Sequence, residues 1–237
     1  KFKIANNFFK KKFNKTFRDE VNKNFTNNQI KNLLPKLPKE KKIITYYTST
    51  EYEQEAYLKL KYKQLEVFKN FYACFKNLKN AHLVIRVHPS LSKKNDLSWK
   101  QFEGKNVTLV SSVSGVDTYA LMRKSDLVCG YSSRIVLESA YLKIPTISFK
   151  DFGWPKQLGI LYGEKNMQIK KNLKKALEKK IRFNIQKILS VSFFYSTYGI
   201  KYKFYKSKTI NKGKFLGEEL EWKSNNFKIL ESFGLKK

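Results

Sequence analysis

The sequence contains few of the residues that mark several common classes of protein. Its 237 residues include only two cysteines and two histidines. This scarcity excludes a disulfide scaffold and a cysteine-ligated zinc site, and it favours a reducing compartment, so we expect a cytoplasmic protein. No apolar run approaches the ~18 residues that a membrane-spanning helix needs.

Three glycine-containing motifs of common catalytic folds are also absent. The chain has no glycine-rich P-loop, no G-x-G-x-x-G fingerprint and no G-x-S-x-G elbow. These absences disfavour kinases, nicotinamide-dependent enzymes and hydrolases. No resident cofactor is predicted.

Arginine is scarce although the formal net charge is +30. Only five of the 49 basic residues are arginines, and the lysine excess accompanies many Asn, Ile, Phe and Tyr residues, as in proteins of A/T-rich genomes. Proteins that read phosphates and bases usually use the planar fork of arginine. The charge therefore disfavours nucleic acid as a partner and leaves compositional background, an anionic membrane surface or an anionic substrate as its explanation.

Residues 1–40 form a basic amphipathic segment. Two interpretations remain open: a helix that lies on acidic lipid, or a linker or remnant of a missing N-terminal domain that packs on a neighbouring domain. Pro35 and Pro38 then mark a boundary. The apolar residues at near-helical spacing are Phe2, Ile4, Phe8, Phe9, Phe13 and Phe17.

Residues 41–205 are predicted to form one Rossmann-like domain. Short apolar runs alternate with helical patterns in the order β-α-β-β-α-β-α-β, which indicates an α/β fold with a doubly wound parallel sheet. A single basic helix is predicted over residues 165–189, and a C-terminal helical extension over residues 206–237. The predicted strands lie at 41–48, 82–89, 107–110, 126–130 and 144–149.

Polar residues follow the predicted strands, and the carboxyl ends of parallel strands are where ligands bind in such sheets. His88 precedes a proline that ends its strand, so its imidazole is expected in the crevice rather than in a structural hydrogen bond. Arg86 lies two residues earlier and faces the same side, unless it pairs with a carboxylate under the sheet. Ser49 follows the first strand.

A second group of polar residues surrounds the start of a helix predicted over residues 132–143. Ser132 and Ser133 lie where free backbone N–H groups favour a phosphate, although serine at such a position also serves as a simple cap. Glu138 follows on the same helix among apolar neighbours. Its carboxylate is predicted either to accept hydrogen bonds from a ribose or to be merely solvated.

Six short motifs occur in order along residues 41–205. They are T-S-T-E-Y-E at 48–53, I-R-V-H-P-S-L at 85–91, T-Y-A-L at 118–121, G-Y-S-S-R-I-V-L-E-S-A at 130–140, K-I-P-T-I at 143–147 and Y-G-I-K-Y-K at 198–203. Together they resemble the motifs of bacterial capsule and lipopolysaccharide biosynthesis proteins. That family is similar to glycosyltransferases of the GT-B type, which consist of two Rossmann-like domains.

The resemblance implies a donor-binding domain, one half of a GT-B fold, that takes a nucleotide sugar and passes it to a polysaccharide or glycolipid acceptor. His-Pro and Ser-Ser motifs hold the nucleotide phosphate in sialyl- and Kdo-type transferases, which slightly favours a CMP-sugar. His88 and Ser132–Ser133 would then contact the donor phosphate, with His88 assisting its departure, and Glu138 the ribose. The catalytic base is expected on an acceptor domain, because only about 40 residues precede the first strand here.

Two other functions remain open at this stage. The first is a CDP-glycerol-type glycerophosphotransferase, because a similar His-Pro and Tyr-Ser-Ser pattern occurs in those enzymes. The other is a non-enzymatic basic module that binds nucleic acid or acidic lipid through residues 1–42 and 165–188. The glycosyltransferase implied by the resemblance is expected to lie peripherally on the inner face of the bacterial membrane.

Overall fold

A computed structural model describes residues 1–14, 29–50, 64–89, 93–131, 133–151, 153–197, 205–207, 212–215 and 217–221. Within them, six strands form one parallel sheet in the order β3-β2-β1-β4-β5-β6, which confirms the predicted doubly wound α/β class. The strands are β1 (Lys42–Tyr47), β2 (Ala81–Arg86), β3 (Val107–Val110), β4 (Leu127–Gly130), β5 (Thr146–Ser148) and β6 (Leu161–Tyr162).

Helices connect the strands and cover both faces of the sheet. The order of strands reverses between β1 and β4, so the carboxyl ends of β1, β2 and β4 surround the switch point where ligands bind in this class. The helices are α1 (Phe2–Phe13), α2 (Gln64–Phe75), α3 (Lys93–Lys100), α4 (Thr118–Lys124), α5 (Ile135–Tyr141), α6 (Asn166–Leu177) and α7 (Ile185–Thr197).

The central strands are buried on both faces because most of their residues are apolar. Every residue of β2 and β4 is buried, and only the first residue of β1 is exposed. An aromatic cluster fills the core on one side of the sheet: Phe68 on α2 lies with its ring 4.7 Å from Tyr46 and 5.0 Å from Trp99. This packing fixes the positions at which β1 and β2 end.

Asp117 is the N-cap of α4. Its carboxylate accepts hydrogen bonds from the backbone N–H groups of Tyr119 and Ala120 at 3.0 and 3.2 Å. The same side chain accepts a third bond from the N–H of Asn32. The start of α4 is thereby fixed beside the switch point.

The prediction of a single helix over residues 165–189 is wrong. The chain forms α6 and α7 instead, and Lys179 between them has a left-handed φ of 56°. The turn lies against Gly159, where a Cβ atom would stand only 2.2 Å from the carbonyl oxygen of Arg182. A tertiary contact that only glycine permits therefore interrupts the helical pattern.

Two further elements differ from the sequence-based expectation. Helix α3 lies between β2 and β3, where no helix is predicted. In the first part of the predicted helical extension, the described residues form a small antiparallel sheet of β7 (Tyr205–Ser207), β8 (Lys212–Phe215) and β9 (Glu218–Glu221). The prediction for residues 222–237 lies outside the described residues.

Helix α1 packs on the domain itself. Phe8 and Phe9 are buried in a cluster with Val136 and Ala140 of α5, and the ring of Phe9 stacks on Tyr141 at 3.8 Å. These apolar side chains are consequently not available to a lipid surface. None of the described helices is long and apolar enough to cross a membrane.

Candidate functional site

A small cavity of about 140 Å³ lies at the carboxyl ends of β1 and β2. The starts of α4 and α5 close it from the other side, because β4 leads directly into α5 at the switch point. Lys12 and Gln29, from the segment before β1, also reach its wall. The cavity brings together four of the six predicted site residues: Arg86, His88, Ser133 and Glu138.

His88 lines the cavity just beyond the end of β2, as predicted. Its backbone N–H donates to the hydroxyl of Thr48, which follows β1, at 2.8 Å. The residue is half-buried, and Pro89 beside it also lines the cavity. The hydrogen bond joins the two strand ends and holds the backbone of His88 at the crevice.

Arg86 is almost fully buried, with 2% of its surface exposed. Its Nη1 donates to the carbonyl oxygen of Ser111, whereas Nε and Nη2 have no hydrogen-bond partner among the residues that the structure describes. Burial lowers the pKa of this guanidinium, and the nearby Tyr47 and Asp96 oppose that change. Buried polar groups are normally paired, so a guanidinium with two such nitrogens at a cavity wall is suited to an anionic ligand.

Asp96 on α3 stabilises the loop to which Arg86 is hydrogen-bonded. Its carboxylate accepts hydrogen bonds from the hydroxyl of Ser111 and from the backbone N–H of Ser112, the latter at 3.1 Å. The loop whose carbonyl holds Nη1 of Arg86 is thus fixed by a carboxylate. The alternative of a direct ion pair between Arg86 and a carboxylate is not seen in the described part of the chain.

Glu138 lies inside the cavity wall with 3% of its surface exposed. Burial raises the pKa of its carboxyl, while Lys12, Arg134 and a hydrogen bond from the hydroxyl of Tyr119 act in the opposite direction. The Nζ of Lys12 lies 3.9 Å from Oε1 of Glu138. The carboxylate is therefore buried and held by two partners, which argues against the alternative of a merely solvated side chain.

The helix after β4 begins later than predicted. Helix α5 starts at Ile135, whose N–H donates to the hydroxyl of Ser133 at 3.3 Å. Ser133 therefore contacts the first turn as well as the cavity. Ser132 lies outside the described residues, so its predicted phosphate contact stays a prediction.

Ser49 is not among the residues that line the cavity. It is buried, and its backbone N–H donates to the side chain of Gln64 at 2.7 Å. The preceding residue, Thr48, lines the cavity in its place. The hydroxyl that lines the cavity after β1 is therefore that of Thr48, one residue before the predicted Ser49.

Several residues that line the cavity were not predicted from the sequence, among them Thr48, Tyr119 and Lys12. Thr48 and Tyr119 belong to two of the motifs named above, but nothing in their spacing indicates which hydroxyl faces the crevice. Lys12 has no local signal at all, because its place in the wall depends on how α1 packs on α5.

Two larger cavities lie elsewhere on the domain. One of about 460 Å³ lies at the amino ends of β4 and β5, and one of about 880 Å³ lies beside β6 and the turn between α6 and α7. The latter is lined by lysines and one arginine but by no histidine or carboxylate. Buried, chemically active groups converge only in the small cavity among the three, and no group of metal-binding side chains occurs within the described residues.

Comparisons with known proteins identify a family. The family model described as UDP-N-acetylglucosamine 2-epimerase matches residues 17–197, more than half of the chain. No curated protein matches the sequence significantly.

Several solved structures are similar in fold at low sequence identity. They include the UDP-GlcNAc 2-epimerase from Neisseria meningitidis bound to UDP-GlcNAc (16% identity, TM-score 0.47, covering 67% of this chain and 45% of that one). Another is KpsC, a beta Kdo 2,4 transferase from Thermosulfurimonas dismutans (14%, 0.44, 67% and 47%). A third is the wall teichoic acid polymerase TagF (16%, 0.40, 68% and 42%). The chain spans less than half the length of each of these three structures.

Proposed function

This chain belongs to the UDP-N-acetylglucosamine 2-epimerase family, and on that premise we propose that it binds a nucleotide sugar at the switch-point cavity. The observation that carries the proposal is Arg86, a buried guanidinium with two nitrogens that lack a partner among the described residues, at the cavity wall. A phosphate would supply acceptors to these nitrogens and offset the cost of burying the charge.

The size of the cavity suits the phosphates rather than the whole ligand. Sites for drug-sized molecules usually measure about 300–1,000 Å³, whereas this cavity measures about 140 Å³. We place the diphosphate against Arg86 and His88 and one ribose hydroxyl against the carboxylate of Glu138. The base and the sugar then extend outwards from the sheet.

The family favours epimerisation of a UDP-sugar at C2 as the reaction of the complete enzyme, and thus a uridine nucleotide over the cytidine nucleotide that the motifs favour. Glycosyl transfer for capsule or lipopolysaccharide synthesis is the second candidate, supported by the order of the His-Pro and Tyr-Ser-Ser motifs. In a transfer, His88 would stabilise the negative charge that develops on the departing diphosphate. The two reactions require the same bound nucleotide but give different products.

Titration of the protein with UDP, CDP and CMP tests the proposal by calorimetry. We expect UDP to bind more tightly than CMP, because only UDP offers two phosphates to the cations of the cavity. Tighter binding of CMP would favour a sialyl- or Kdo-type transferase, and tighter binding of CDP would favour a CDP-glycerol-type glycerophosphotransferase. The absence of nucleotide binding up to millimolar concentration would remove the proposal. A salt-sensitive affinity for any polyanion, without nucleotide preference, would point instead to a basic binding module.

His88→Ala is expected to weaken UDP binding by about 10-fold or more, because a hydrogen bond to a charged group contributes roughly 1.5–3 kcal/mol. The matched control is His82→Ala at the opposite end of β2, where the imidazole bonds to Thr108 at 2.8 Å, away from the cavity. Calorimetric titration of both variants measures the effect. If His88→Ala bound UDP as tightly as the wild type does, His88 would have no part in the site.

A further inference from the structure

Helix α1 lies outside the α/β units and outside the family match, which begins at residue 17. Its position is nevertheless fixed by the domain. Phe8 and Phe9 are buried against α5, and the hydroxyl of Tyr141 on α5 donates to the side chain of Asn6 at 2.9 Å. Residues three and four apart share one face of a helix, so Lys12 lies on the face that carries Phe8 and Phe9.

The side chain of Lys12 is buried in the wall of the switch-point cavity, with 7% of the residue exposed. A lysine is rarely buried to this extent, because removing an ammonium from water costs several kcal/mol unless it is compensated. Its Nζ stands 3.9 Å from Oε1 of Glu138, which is an ion pair but too long for a hydrogen bond. The ammonium is therefore held at the cavity wall within ion-pair distance of Glu138.

The charges that the described residues contribute to the cavity match a diphosphate when Lys12 is counted. Among those residues, three cationic side chains line the cavity, those of Lys12, Arg86 and Arg134, against one carboxylate, that of Glu138. That balance leaves two positive charges, and the diphosphate of a nucleotide sugar is a dianion. The cavity of about 140 Å³ is smaller than the usual site for a whole ligand, so a diphosphate inside it would lie close to these side chains.

We propose that Lys12 is a phosphate-binding residue of this site, supplied by a helix that the family match does not include. Glu138 acts on it as a positioning residue by holding the ammonium at the cavity wall. The inference rests on the proposed nucleotide binding and adds to it a specific preference for the diphosphate. The competing explanation is that Lys12 only neutralises Glu138.

Lys12→Met, which keeps most of the length of the side chain but removes the charge, separates the two explanations. We expect the affinity for UDP to fall by about 10-fold or more and the weak affinity for uridine, which has no phosphate, to stay unchanged. Lys10→Met is the matched control, because Lys10 is exposed on the same helix. Calorimetry with UDP and ligand-observed NMR with uridine give the two affinities, and thermal unfolding checks that the variants are folded.

Three results would overturn the inference. Unchanged UDP affinity in Lys12→Met would show that the ammonium does not bind phosphate, and equal losses for UDP and uridine would show that it acts through Glu138. If Lys12→Met did not fold, Lys12→Arg would keep the charge, and failure of that folded variant to bind UDP would contradict the proposal. A wild-type protein that binds no UDP would instead remove the proposed function itself, and this inference with it.

Discussion

Replacing Arg86 with methionine is expected to weaken UDP binding by at least about 10-fold while leaving the free energy of unfolding unchanged or raised. The guanidinium is buried, and two of its nitrogens lack partners among the described residues. Methionine fills a similar volume without the cost of burying a charge. The variant loses the hydrogen bond to the carbonyl of Ser111, which opposes the gain in stability.

Calorimetric titration with UDP and urea unfolding measure the two effects of Arg86→Met. Arg123→Met is the matched control, because Arg123 is exposed on α4 and does not line the cavity. Unchanged UDP affinity would contradict a ligand-binding role for Arg86. A loss of more than about 2 kcal/mol in unfolding free energy would mean that the guanidinium supports the fold, since breaking a buried polar network costs that much.

Replacing Phe68 with alanine is expected to lower the free energy of unfolding by about 3–5 kcal/mol. The ring is fully buried and lies at the centre of the aromatic cluster between α2, α3 and the sheet, 4.8 Å from Phe102. Rigid rings on several elements cannot close the space that its removal leaves. This loss is a large fraction of the free energy of unfolding of a typical domain, which is about 5–15 kcal/mol.

Urea unfolding followed by circular dichroism measures the effect of Phe68→Ala. The matched control is Phe194→Ala, the same change on α7 at a side chain that is 55% exposed, for which we expect a loss below about 1 kcal/mol. Equal losses for the two variants would contradict the central place of Phe68 in the core.

The parallel sheet is predictable from the sequence because its strands are apolar on both faces, and that pattern is local. The cap of α4 is predictable for the same reason, since Asp117 bonds to residues two and three positions ahead. His88 and Glu138 could be assigned to one crevice because the geometry of parallel sheets brings successive strand ends together. Each of these inferences uses only neighbours in sequence or a general property of the fold.

The remaining features depend on contacts between distant residues. The break between α6 and α7 follows from the approach of Arg182 to Gly159, which helical periodicity cannot reveal. Thr48 rather than Ser49 lines the cavity, and its hydroxyl bonds to the backbone of His88, 40 residues further along the chain. The place of Lys12 depends on how α1 packs on α7 and α5, for which no motif exists.

The attachment of α1 has a bearing on how the molecule can be divided. A protein trimmed to the family-matched residues 17–197 would lack Phe8 and Phe9, and the hydrophobic side chains of Val136, Leu137 and Ile188 would lose their cover. Such a fragment would expose an apolar patch that α1 covers in the intact chain. The physical boundary of this domain therefore lies upstream of the boundary drawn by similarity.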